Sequence, residues 1–269
     1  MFWLHGEDLP AGVGNERFCA MHLVYVAFFL AATVWYACRY RKLDAARRKT
    51  ADRILGSIVL FLGLCEYGVT AIIGRLNIYT LPIHVCSLMF FLVPIHAWLS
   101  AARPGSFGAK LHAFLGAVIF HPGFPGAWAA LLFPDWLYYP FWNYLSISGF
   151  LVHGCISVYG ASVIVAGAKA PEPKKLCLRD FGRSMAFLLA GAVFMYFFDK
   201  VTETNYWFMA TPGADSPFTG VYVKGGPASY LLAFLGVAAA VSVLWYGLRY
   251  LLLARRKSVC PEVKNPYGE

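Results

Sequence analysis

A histidine and a cysteine stand two residues apart in the segment LPIHVCS, as His84 and Cys86. The thiolate is the reactive form of cysteine, and a nearby histidine promotes it. Cysteine–histidine pairs carry out acyl transfer by this chemistry. Residues i and i+2 of a regular helix do not face each other, so these side chains converge only if the turn after Pro82 is irregular. Otherwise the base comes from another helix, and His153 is then the leading candidate.

Three titratable groups, Glu66, His121 and His153, stand near the middle of long apolar runs. Ionisable groups inside a membrane are costly and usually functional. We therefore expect these three residues to lie at a similar depth and to contribute to a site. The alternative for each lone residue is a structural hydrogen bond between two helices.

The elements that must position these residues are apolar helices. Hydrophobic residues make up 59% of the 269 residues and charged residues 14%, whereas soluble domains carry about 25% charged residues. A helix needs about 20 apolar residues to cross a bilayer. The sequence therefore predicts an all-α, polytopic membrane helical bundle that forms a single integral membrane domain over residues 1–269. Seven transmembrane helices are predicted, at about residues 19–38, 54–74, 81–101, 111–133, 142–168, 178–198 and 227–253.

The fourth predicted span contains a chemical break. Pro122 and Pro125 follow His121 closely, with glycines beside them. Proline removes a backbone donor and kinks a helix. This span is therefore either one kinked helix, two half-helices or a re-entrant segment.

The basic residues predict the orientation. The segments 39–53, 103–110, 169–183 and 249–264 alternate along the chain and hold 19 of its 23 Lys and Arg residues. Cytoplasmic loops carry such an excess, so we predict that the N-terminus lies outside and the C-terminus inside. The net charge of +9 then reflects topology. We expect membrane lipids as partners and no nucleic acid, and the sequence leaves the oligomeric state open.

No cofactor is predicted. The sequence contains no phosphate-binding loop, HExxH, GxSxG or dinucleotide-binding pattern in a usable context. The histidines and cysteines also lack the close spacing of zinc ligands, so no metal is predicted.

Several short motifs together resemble the YwaF-like family of bacterial integral membrane proteins. LPIHVCS is similar to the LPxHxC signature of that family, and ALLFPDW looks like its ALLxPD stretch. FLVHGCI resembles its His-Gly element, and TETNYWFMATPGADSP is similar to its NYxFL loop. Glu66 stands where the family tends to carry an acid. The resemblance covers about residues 66–230 and implies a multi-pass protein of the bacterial inner membrane.

A more distant likeness implies an activity. The eukaryotic transmembrane-protein-164 group is described as a phospholipid acyltransferase with a cysteine nucleophile and a histidine partner. By that resemblance Cys86 is the nucleophile, and His153 or His84 is the base. Asn205 would orient a head group or stabilise an oxyanion, and Glu66 and His121 are further candidates for substrate binding. The sequence departs from the pattern in its proline-rich fourth span and in FMATPG, which lacks an expected basic residue.

Three functions follow as hypotheses. The first is a lipid acyltransferase or lipid hydrolase with a Cys/His site near the outer leaflet. The second is a proton-coupled small-molecule transporter that uses the Glu66, His121 and His153 cluster. The third is a non-catalytic membrane scaffold or ligand-binding protein. Whether the protein is an enzyme is thus left open by the sequence.

Overall fold

The computed structural model describes residues 2–4, 8–170, 172–212 and 216–259, with the side chains of 254–259 left out. Over these ranges the chain forms eight α-helices and no strand. They are α1 (Ala20–Tyr40), α2 (Ala45–Ile72), α3 (Val85–Leu99), α4 (Phe107–Val118), α5 (Phe124–Leu132), α6 (Tyr144–Ala168), α7 (Pro173–Thr202) and α8 (Thr219–Val259).

The predicted helical membrane bundle is confirmed. Among the described residues, six helical segments are long and apolar enough to cross a bilayer: α1, α2, α4 joined to α5, α6, α7 and α8. The helix α3 is apolar but has only 15 residues, fewer than the roughly 20 that a span needs. A seventh span and the orientation with the N-terminus outside stay predictions.

The helix ends differ from the apolar runs of the sequence. The helix α2 begins at Ala45, before the apolar run at 54, because the Asp44 side chain accepts a hydrogen bond from Arg47 N and caps the helix. The helix α3 begins only at Val85, because His84 has an extended backbone with φ −62° and ψ 153°. Hydropathy detects the apolar part of a helix, whereas capping residues decide where it starts.

The fourth apolar run forms two half-helices. A π-helical turn, Ile119–Gly123, joins α4 to α5, and inside it His121 has non-helical angles of φ −158° and ψ 122°. The Ser184 hydroxyl of α7 donates to the His121 carbonyl at 2.6 Å and contacts His121 Nδ1 at 3.0 Å. A neighbouring helix thus satisfies backbone that the break exposes, as a bilayer requires.

The helix α6 lies at the centre of the bundle and packs against α1, α2 and α5. At Gly154 a Cβ atom would lie 2.0 Å from the Phe29 ring of α1. Glycine therefore permits α1 and α6 to approach closely, which places His153 in the core.

The loop after α7 holds the segment that leads into α3. Asp199, buried near the end of α7, accepts hydrogen bonds through Oδ1 from the Tyr206 backbone N–H at 2.7 Å and the Thr204 hydroxyl at 2.8 Å. The Tyr206 hydroxyl then donates to the Ile78 carbonyl at 2.7 Å and accepts from the Leu81 N–H at 2.8 Å. A buried carboxylate on α7 thereby fixes the residues just before His84.

The same loop stores backbone strain. Trp207 and Phe208 both have positive φ angles, of 55° and 57°, which cost about 1–3 kcal/mol each in a non-glycine residue. The Trp207 Nε1–H donates to the Ile83 carbonyl at 2.8 Å. At Gly191 of α7 a Cβ atom would lie 2.3 Å from the Trp207 ring, so this glycine makes room for the indole. Packing of the Trp207 indole compensates for the strain and holds the loop against the residues that lead into α3.

Replacement of Tyr206 by phenylalanine tests this connection. We expect Tyr206→Phe to lower the free energy of unfolding by about 1–3 kcal/mol, because the Leu81 N–H and the Ile78 carbonyl lose their partner. The measurement is thermal unfolding of the purified protein in detergent. Tyr79→Phe is the matched control, because Tyr79 is exposed in the segment that Tyr206 holds, and it should leave the midpoint unchanged. Equal midpoints for the two variants would show that the Tyr206 hydroxyl does not hold this segment.

Candidate functional site

His84 and Cys86 line one cavity. Its volume is about 310 Å³, and its walls come from α3, α5, α6, α7, α8 and the loop at 207–209. Small residues leave the space open, among them Gly126, Ala130 and Ala192. The rest of the wall is almost entirely apolar, so the cavity suits a hydrocarbon group placed beside a thiol.

Cys86 lies in the first turn of α3. His84 is the N-cap residue and makes no side-chain capping bond, and the first helical hydrogen bond runs from Leu88 N to the His84 carbonyl. Backbone N–H groups in a first turn have no partner within the helix, and the helix dipole there favours negative charge. Ser87 contacts the Cys86 sulfur through its N–H and its hydroxyl. This environment offers several donors to a thiolate or to an oxyanion formed next to it.

The irregular turn that the His84–Cys86 pair requires is present. Because His84 is extended and lies outside the helix, the helical rule that separates residues i and i+2 does not apply to it. Its ring packs against Tyr206, with ring centroids 4.7 Å apart. The loop after α7 therefore positions this imidazole in the wall of the cavity.

His153 occupies a different place, inside α6. Its Nδ1–H donates to the Gly149 carbonyl at 2.7 Å, and its ring stacks on Trp136 at 4.9 Å. Because a carbonyl only accepts hydrogen bonds, Nδ1 carries the proton and Nε2 is left with a lone pair. Nε2 is buried and has no hydrogen-bond partner among the described residues. His153 does not belong to the residues that line the cavity.

Asp135 connects these groups electrostatically. The carboxylate of this exposed residue, which follows α5, interacts with His84, Cys86 and His153. A carboxylate near an imidazole stabilises its protonated form. Asp135 was not among the site residues predicted from the sequence. The signal that could have indicated it is the ALLFPDW motif, which contains Asp135.

Glu66 and His121 make hydrogen bonds between helices. The Ser148 hydroxyl of α6 donates to Glu66 Oε2 at 2.6 Å, and Glu66 also interacts electrostatically with Cys86. The second imidazole nitrogen of His121 lies 3.4 Å from the Ser242 hydroxyl of α8. Neither residue lines the cavity, although Gly123, two residues after His121, does.

Asn205 uses its amide inside its own loop. Its Oδ1 accepts from the backbone N–H groups of Ala210 and Thr211, both at 3.1 Å. Its Nδ2 donates to the carbonyl and the hydroxyl of Thr211, both at 3.0 Å. The contacts that the structure records for Asn205 thus shape the loop that bears Tyr206 and Trp207.

A metal centre has no support in the described part of the chain, where no three His, Cys, Asp or Glu side chains are grouped to hold an ion. The absence of a metal and of a cofactor stays a prediction from the sequence.

Comparison with known families supplies an assignment. No curated protein and no solved structure matches this chain. The family model described as the TMEM164 family matches residues 13–248. That range includes the LPIHVCS segment, the whole cavity wall and the loop after α7. Because the match extends over most of the 269 residues, this multi-pass membrane protein belongs to the TMEM164 family.

Proposed function

We propose that the protein is a lipid acyltransferase or lipid hydrolase in which Cys86 attacks an acyl ester. One observation carries the proposal: Cys86 and His84 line the same apolar cavity inside a membrane bundle. A volume of about 310 Å³ is at the lower end of the range for small-molecule sites. An acyl chain fits such a cavity, and its ester carbonyl would then lie beside the thiol.

His84 is the proposed base, since it shares the cavity with the thiol. His84 takes the proton of Cys86, and the sulfur attacks the carbonyl carbon of a phospholipid ester. The C–S bond forms, the C–O bond breaks, and the alcohol of the lysophospholipid leaves with the proton from the imidazolium. A second lysophospholipid hydroxyl, or water, then attacks the thioester and restores the thiol. The alternative base is His153, whose Nε2 has an unused lone pair.

Two groups of this site stabilise the charges that form. The free N–H groups in the first turn of α3 can donate to the oxyanion of the tetrahedral intermediate, a role of helix starts in other enzymes. The carboxylate of Asp135 favours the imidazolium. The first effect acts in a cavity with little water, where electrostatic interactions are strong.

The finer assignments belong to the same proposal. The distribution of Lys and Arg supports a site near the outer leaflet, and the likeness to the YwaF-like proteins supports a bacterial inner membrane. Glu66, His121 and Asn205 remain candidates for substrate binding. In this proposal Asn205 contributes to lipid binding indirectly, because its hydrogen bonds set the shape of the loop.

Loss of the nucleophile tests the proposal. We expect Cys86→Ala to lower acyl transfer by at least about 10³-fold, because the covalent step is lost. The measurement is mass-spectrometric detection of the product that purified protein in proteoliposomes forms from a phospholipid donor and a labelled lysophospholipid.

Cys65→Ala is the matched control, because Cys65 is a half-buried cysteine of α2 outside the cavity, and it should keep the wild-type rate. Equal product from wild type and Cys86→Ala would refute the cysteine mechanism. Transport that depends on pH and is lost in Glu66→Gln, with Cys86 dispensable, would instead support the transporter hypothesis. Retention of a lipid without turnover would support a non-catalytic protein.

The identity of the base is a separate prediction. We expect His84→Asn to lower the rate by about 10²–10⁴-fold, the usual effect of losing a general base. His153→Asn should have a smaller effect, since its ring does not line the cavity. Intact-mass spectrometry follows the rate of thioester formation at different pH values and so reports the base directly. We expect this rate to rise with pH in the wild type and the rise to be absent in His84→Asn. The opposite pattern would assign the base to His153.

A further inference from the structure

A second cavity lies at the other end of α3. It has a volume of about 700 Å³ and is lined by the end of α1 and by α2, α3, α4, α6, α7 and α8. His96 of α3 lines it, ten residues after Cys86 and so about 15 Å further along the helix. The basic segments 39–53, 103–110 and 169–183 lie at this end of the bundle. By the distribution of Lys and Arg the cavity faces the cytoplasm.

The rim of this cavity carries two adjacent cations on α2. Arg48 is held in place, because it donates to the carbonyls of Tyr40 at 3.2 Å and Arg41 at 3.0 Å. Its neighbour Lys49 is half-buried and makes no hydrogen bond or ion pair with any residue that the structure describes. A half-buried lysine whose ammonium group has no partner among the described residues is available to an anionic ligand.

The interior of this cavity contains a hydrogen-bond acceptor that receives no hydrogen bond from a donor in the described part of the chain. Asp52 is only 9% exposed, and its Oδ2 accepts from the Tyr40 hydroxyl at 2.8 Å. Its Oδ1 is buried and receives no hydrogen bond from the described residues, because the nearby Ser162 hydroxyl donates its proton to the Tyr159 carbonyl at 2.8 Å. Leaving a buried acceptor unsatisfied is costly, so this oxygen indicates a donor that a ligand supplies. Asp52 lies three residues after Lys49, which places the two side chains next to each other, about 5–6 Å apart between Cβ atoms.

The other polar groups of the cavity complete the same pattern. His112 Nδ1–H donates to the His96 carbonyl at 3.0 Å, so its Nε2 is an acceptor. Asp180 is already paired with Arg249 at 3.1 Å and Arg183 at 3.2 Å. The cavity therefore offers cations at its rim and acceptors within.

We propose that this cavity binds a phosphate ester that also carries a hydroxyl or ammonium group a few atoms away. The phosphate lies against Arg48 and Lys49, because adjacent cations match its charge and its oxygens. The hydroxyl or ammonium donates to Asp52 Oδ1. The ligand is either a free phosphate ester or the head group of a lipid. The site is separate from the cavity of Cys86 and does not depend on acyl-transfer chemistry.

Binding measurements on the full-length protein test this site with two probes. Glycerol 3-phosphate is the soluble probe, measured by calorimetry in nanodiscs of phosphatidylcholine. Phosphatidylglycerol is the lipid probe, measured as retained lipid by native mass spectrometry. We expect saturable binding of at least one probe. The soluble probe alone would indicate a free phosphate ester, and the lipid probe alone would indicate a head group.

The variants separate this site from general surface charge. Lys49→Gln should weaken binding at least about ten-fold, the effect of one lost charged contact. Lys42→Gln is the matched control, because Lys42 is exposed in the same basic segment and does not line the cavity; it should bind like wild type. Absence of saturable binding for both probes, or equal weakening by the two lysine variants, would overturn the proposal.

A separate measurement tests whether the ligand donates a hydrogen bond to Asp52. Asp52→Asn should weaken glycerol 3-phosphate but not inorganic phosphate. If Asp52→Asn does not fold, the wild-type protein alone decides, since it should bind glycerol 3-phosphate more tightly than inorganic phosphate. Equal affinity for these two probes would overturn the role of Asp52.

Discussion

The geometry of the site depends on the hydrogen bonds that the buried carboxylate of Asp199 accepts. This carboxylate binds the backbone N–H of Tyr206 and so fixes the start of the loop after α7. Tyr206 and Trp207 in turn hold the carbonyls of Ile78 and Ile83. Hydrogen bonds in a low dielectric strengthen one another, so this chain of contacts keeps His84 extended and outside α3. If His84 had helical backbone angles, the side chains of His84 and Cys86 would point to different faces of the helix.

The position of Cys86 brings opposing electrostatic effects together. The start of α3 favours an anionic sulfur, whereas Asp135 opposes negative charge at Cys86 and favours positive charge on an imidazole. Burial in the apolar cavity disfavours both the thiolate of Cys86 and the imidazolium of His84, and it is the largest of these effects.

The two cavities at the ends of α3 differ in polarity for a physical reason. The cavity of Cys86 is bounded by small and apolar side chains from α5, α7 and α8. The second cavity includes the first turns of α2, where the chain carries its densest group of basic residues. A short helix such as α3 therefore connects an environment suited to acyl chains with one suited to charged polar groups.

The sequence alone determined what depends on local chemistry. Hydropathy located the helices, the prolines beside His121 located a break, and LPIHVCS indicated His84 and Cys86 as candidate site residues, because these signals lie within one segment. The tertiary structure decided which groups surround Cys86. The packing of Tyr206 against His84 and the electrostatic influence of Asp135 on Cys86 join residues that are distant in the chain, and no local pattern encodes them. The tautomer of His153 also required the structure, since only the position of the Gly149 carbonyl shows which nitrogen carries the proton.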